Sequence, residues 1–236
     1  MSSLRRTALA AGVFYLLSFV SVPTLALYAP VRDATYISGI GSSNGVIVGV
    51  VLEIIVALAG IGTAVALYPV LKRQNHGIAL GFVGSRVLEA ATIFAGTVIL
   101  MTMVTLRKDG AAADALATGN ALVAMHNWTF LIGQGLIPAV NGVLLGTLLF
   151  RSRLVPRILP LLGFVGATLL VVSAVATLFG LWAQVSTASG LLTLPIGVWE
   201  FSLGVYLIVK GFKPTPLTAA MVLASTPPAD RPAVTV

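Results

Sequence analysis

The chain has 236 residues, of which 58% are hydrophobic and 9% charged, and its mean hydropathy is +1.03. Soluble domains carry about 25% charged residues, so a water-soluble globule is excluded and lipid must solvate much of the surface. The net charge of +7 gathers at the ends of hydrophobic runs, which points to topology and anionic headgroups rather than nucleic acid, and the absence of cysteine removes disulfides, thiol catalysis, thiolate metal sites and iron–sulfur clusters.

Six runs are long enough to span a bilayer, which takes about 20 residues each. They lie near 7–29, 44–71, 77–106, 119–150, 154–184 and 188–210. None shows the period-two alternation of a barrel strand, and lipid leaves no partner for an open sheet edge, so helix is the expected state. The first run begins with Arg5 and Arg6 and stays apolar beyond the length of a signal-peptide core of about 7–15 residues. It reads as a retained helix bent near Pro23.

Arg5, Arg6, Lys72, Arg73, Arg151, Arg153, Arg157, Lys210, Lys213 and Arg231 fall on one side. The other side holds Arg32, Arg107 and Lys108, offset by Asp33, Asp109 and Asp114. The positive-inside rule then puts both termini in the cytoplasm, as an even number of spans requires. The expected fold class is an all-α, polytopic bundle of six transmembrane helices over 1–213, in the cell (plasma) membrane. The Pro-, Ala- and Thr-rich stretch 214–236 reads as a disordered cytoplasmic tail. GxxxG spacings at 45–49, 77–81 and 142–146 read as close packing within one bundle. A faint echo, GT then LGFVG at 62–84 and again at 146–166, has the form of a duplicated hairpin but is weighed as coincidence.

The acids are sorted. Glu53, Glu89 and Glu200 lie inside expected spans, and every aspartate lies outside. A charge at the bilayer centre costs at least about 2.5–3.5 kcal/mol, so these groups must face the bundle interior or a wet cavity. At 1.5 Å per residue, Arg86 and Glu200 both sit roughly 14–15 Å from the basic side, with Glu89 a little deeper. Arg86 and Glu89 are i,i+3 on one helix face and can pair. Glu53 and His126 lie nearer the other side, which makes the set a column through that half of the bundle.

One arginine against three glutamates leaves an interior with two excess negative charges. That excess requires a protonated His126, a bound cation, or glutamates that keep their protons. A protonated Glu53 or Glu200 would be a proton donor or carrier, and these two are the catalytic candidates. In the fourth run, GQGLIPAVNG holds Gln134, Pro138 and Asn141; the proline frees a backbone carbonyl, and the amides can line a cavity. In the sixth, LPIGVWEFSLG places Pro195 and Trp199 beside Glu200 as a pocket floor. The candidate ligand-binding set is Arg86, Glu89, Glu200, Glu53, His126, Gln134, Asn141 and Trp199. No metal site and no cofactor is expected, since His126 has no second histidine near it and no nucleotide or hydrolase motif occurs.

The segments RVLEAATI (86–93), IPAVNGVLLGTLLF (137–150) and WEFSLGVYLIVKGF (199–212) resemble a bacterial inner-membrane family catalogued as domain of unknown function 4386. The resemblance spans most of residues 5–213. It implies an RxxEA-type element in the third helix and a glutamate in the last, met here by Arg86, Glu89 and Glu200. It implies no activity.

Three readings remain open. The first is a carrier or sensor for a small or lipophilic ligand, which needs an aqueous path to Glu53 or Glu200. At this length a carrier would gain from homo-oligomerisation. The second is an intramembrane enzyme of cyclase or isomerase type, which needs a closed, aromatic-lined pocket opening to lipid. The third is a non-catalytic structural bundle, with no pocket. Membrane lipids are the expected partners in all three.

Overall fold

A backbone in hydrocarbon has to satisfy its own hydrogen bonds, and among the described residues it does so with helices and turns and no strand. The computed structural model describes residues 3–39, 41–109 and 115–225. Six segments are long and apolar enough to cross a membrane: Ser3–Leu27, Asn44–Leu71, His76–Lys108, Leu116–Ser152, Ile158–Leu178 and Thr187–Val209. The chain is an all-α, multi-pass membrane protein.

The first span is broken. α1 (Ser3–Leu17) tightens into a 3-10 turn at Ser18–Ser21 and resumes after Pro23 as the short α2 (Thr24–Leu27). Next come α3 (Asn44–Leu71) and α4 (His76–Lys108). The fourth span joins α5 (Leu116–Phe130) to α6 (Ile137–Ser152) through a π-helical turn at Leu131–Leu136. Pro138 has no N–H for the carbonyl of residue 134, so the α ladder cannot run through unchanged, and the wider turn takes up the mismatch. α7 (Ile158–Leu178) and α8 (Thr187–Val209) complete the spans.

Two expectations are corrected. The fifth span ends at Leu178 rather than near 184. Gly180 takes φ +71°, its N–H bonds to Thr177 O at 3.0 Å, and Leu181 N–H bonds to Ala176 O at 2.9 Å. This is a Schellman stop, which a residue with a Cβ resists. Residues 179–186 are therefore a connection. The stretch after residue 213 is also not disordered throughout: α9 (Pro216–Ser225) forms behind a reciprocal Thr215–Thr218 cap and packs Leu217 and Met221 against the core. Residues 226–236, Arg231 among them, and Asp114 lie outside the described residues.

The spans pack in chain order. α1 lies on α3, α3 on α4, α4 on α5 and α6, α6 on α7, α7 on α8, and α8 returns to α1, which closes a ring. The closing contact is backbone to backbone: a Cβ on Gly12 would stand 2.7 Å from Gly204 O. On the side of the basic residues, Tyr15, Leu67, Leu71, Phe82, Leu145, Leu148, Trp199 and Leu203 fill the ring as one apolar cluster. There Arg5 donates to the carbonyls of Leu207, at 3.0 Å, and Ile208, satisfying the end of α8. On the opposite side a smaller cluster, with Tyr28, Val31, Tyr36 and Ile37, seats α2 on α3 and the 3-10 segments after it on α4 and α5. Asp33 caps one of those segments; the backbone N–H and then the hydroxyl of Thr35 hold its carboxylate below the usual range. The echoed LGFVG stretches pack differently. Gly84 faces open space, whereas a Cβ on Gly166 would lie 2.6 Å from the backbone of Ile196.

Candidate functional site

α4 brings Arg86 and Glu89 into the middle of the ring, one turn apart on its inner face. Arg86 Nη1 donates to Glu89 Oε2 at 2.9 Å. Its Nη2 donates to Glu200 Oε1 on α8 at 3.0 Å and to the Tyr15 hydroxyl on α1 at 3.2 Å. Asn141 on α6, fully buried, donates from Nδ2 to Glu89 Oε2 at 2.8 Å. The guanidinium also lies near two aromatic rings, 5.4 Å from the centre of Tyr15 and 5.7 Å from that of Phe82. Four helices thus meet at one polar knot in an apolar interior.

The knot is not sealed on both sides. A cavity of about 200 Å³, walled by residues from all six spans, touches Arg86, Glu89 and Glu200. A second of about 400 Å³ shares Ser21, Val22, Gln134, Leu170 and Thr193 with it. A third of about 490 Å³ shares Thr24, Leu25, Phe130, Leu131, Thr177 and Gln184 with the second, and reaches Arg32, Asn127 and Trp182. The shared walls set the three cavities in a row, a funnel-like series from the end of the bundle opposite the basic residues towards the ion pairs. The apolar cluster closes it beneath them. Side-chain exposure is 17% for Glu200, 12% for Glu89 and 6% for Arg86, so the acids face the funnel more than the guanidinium does.

Glu53 belongs to a separate group. It is buried, and its Oε1 accepts from Gln134 Nε2 at 3.0 Å, with the Tyr28 hydroxyl close by. Gln134 itself stands in the π turn and lines the cavity, so it separates Glu53 from the funnel. His126 packs edge-on to Tyr28, at 5.8 Å between centres, and parallel to Phe130. It lines the funnel mouth. Trp199 does not form the pocket floor. It is fully buried in a slot left by Gly142 and Gly163, where a Cβ on Gly163 would meet the indole at 2.6 Å. No group of three metal-ligating side chains occurs among the described residues.

Sequence reasoning passed over Tyr15, Ser18, Ser21 and Thr193, which bind or border the knot, and Gln184 and Trp182, which line the funnel. Tyr15 carried a usable signal: it lies about as many residues from the basic end of its span as Arg86 and Glu200 do.

No curated protein and no solved structure matches the chain. A family model described as a domain of unknown function, DUF4386, matches residues 10–211. That match runs from the first span to the end of the sixth and takes in the whole polar knot, so the chain belongs to the DUF4386 family.

Proposed function

We propose that this protein binds a small ligand in the membrane, as a carrier or sensor, with the Arg86–Glu89–Glu200 knot at the closed end of its binding cavity. One observation carries the reading: a row of cavities with shared walls leads from one end of the bundle to Glu200. A structural bundle needs no such space. An intramembrane enzyme acting on a lipid-soluble substrate would favour an aromatic pocket closed to water at the acids, whereas here the aromatic side chains gather at the mouth and the two inner cavities carry serine, threonine and glutamine. In this reading the protein sits in the plasma membrane with both termini in the cytoplasm, and the funnel opens outward.

The cysteine-free chain permits a direct test. Thr193→Cys lies on the cavity wall, and Leu203→Cys lies in the apolar cluster below. A membrane-impermeant thiol reagent added from outside intact cells is expected to label Thr193→Cys and to leave Leu203→Cys unmodified. Labelling of both or of neither would count against a one-ended cavity; labelling of Thr193→Cys only from the cytoplasmic side would reverse the orientation.

A further inference from the structure

We infer that the ligand of this cavity is a small organic cation, a protonated amine, with Glu89 and Glu200 as its counter-ions; this rests on the cavity being a ligand site. The first argument is charge. Arg86 brings one positive charge to the knot, and Glu89 and Glu200 bring two negative ones. The other groups around them are neutral: Tyr15 from α1, Asn141 from α6 and Gln134 from the π turn, with Glu53 held behind Gln134. The excess negative charge lies on the two side chains that face the funnel.

The second argument is the sense of the hydrogen bonds. Glu89 and Glu200 each give one oxygen to Arg86, which leaves Glu89 Oε1 and Glu200 Oε2 with no bond to a described residue. Ser18 spends its proton on Tyr15 O at 2.6 Å, Ser21 on Ser18 O at 3.0 Å, and Thr24 on Ser21 O at 2.6 Å. Their hydroxyls therefore offer only lone pairs to anything else. Gln134 directs an N–H at Glu53 and keeps its carbonyl oxygen free. Close to the knot the polar wall is mostly made of acceptors, while nearer the mouth it carries donors as well, Arg32 and the Trp182 indole among them.

An ammonium group, with three donors and one positive charge, fits such a wall. An anion does not, because both Nη atoms of Arg86 are already committed to carboxylates. A neutral apolar molecule would leave the charge unbalanced and the oxygens unpaired. A hard divalent ion seeks about six or more oxygens, and no group of metal ligands is assembled among the described residues.

The test uses the full chain carrying Thr193→Cys, purified in detergent. Residue 193 is two helical turns from Glu200, on the same cavity wall. Rates of modification by a trimethylammonium-ethyl and by a sulfonatoethyl methanethiosulfonate are measured, each normalised to a free thiol. The cationic reagent is expected to react at least tenfold faster, and added Glu200→Gln to bring the ratio towards one. With Glu200 intact, millimolar n-propylammonium is expected to slow the reaction, while propionate and propan-1-ol do not. A ratio at or below one, or protection by propionate or propanol alone, would overturn the cation and leave the cavity reading standing. No reaction with either reagent, or with neutral methyl methanethiosulfonate, would sink both.

Discussion

Arg86 Nη2 on α4 donates to Glu200 Oε1 on α8 at 3.0 Å, and this bond ties two helices that are not neighbours in the ring. Tyr15 and Asn141 bring in two more helices through the same arginine and its partner Glu89. The guanidinium is the single cation of the knot. Arg86→Met is therefore expected to cost about 3–5 kcal/mol, since it strands two carboxylates in the interior. Glu200→Gln, which keeps an acceptor for Arg86, is expected to cost less, and Arg86→Met with Glu89→Gln and Glu200→Gln to recover much of the loss. Thermal unfolding in one detergent measures all three; equal losses for the two single variants would contradict this ordering.

Glu53 sits with an amide and a phenol and has no cationic partner in an ion pair among the described residues. A neutral side chain of the same shape is expected to serve there. Glu53→Gln is predicted to change stability by less than about 1 kcal/mol, whereas Gln134→Leu, which takes away the amide donor of a buried carboxyl, costs about 1–3 kcal/mol. A large loss on Glu53→Gln would mean that the ionised carboxylate is needed.

The slot holding Trp199 gives a control outside the cavity. Gly163→Ala forces a methyl group into the indole and is expected to cost about 1–3 kcal/mol through strain. Trp199→Ala empties the slot and is expected to cost about 3–5 kcal/mol. Both should lower the unfolding temperature while the charge selectivity at Thr193→Cys stays unchanged; a lost selectivity would place Trp199 in the ligand's wall after all.

Much of this layout was legible because hydrocarbon permits so few solutions. The six spans came from hydropathy, and the Arg86–Glu89 pair from i,i+3 spacing. Glu200 came from depth, and the same rule would have found Tyr15; Asn141, singled out with the amides of its span, shares that depth, each lying roughly ten residues, about 15 Å, from the basic end of its span. Trp199 was misplaced for a reason that helix geometry supplies. Adjacent residues point about 100° apart, so when Glu200 faces the cavity Trp199 turns into the core. Gln184 was hidden because hydrophobicity continues past Gly180, and only the left-handed turn there ends the helix. The pairing of Glu53 with Gln134 depends on the π turn. Its wider winding rotates the rest of the span about the helix axis, and hydropathy does not register that rotation.

The closed base of the funnel has an electrical consequence. Where the funnel is in contact with bulk solution, the membrane voltage falls mainly across the packed layer between Arg86 and the basic end, about half the hydrocarbon thickness. A cation moving from the mouth to Glu200 crosses little of that voltage. Any step that carried it past Tyr15 and Phe82 would cross nearly all of it, at about 2.3 kcal/mol per charge for each 100 mV. Occupancy of the site should thus be nearly indifferent to membrane potential, and a current or flux through the protein steeply sensitive to it.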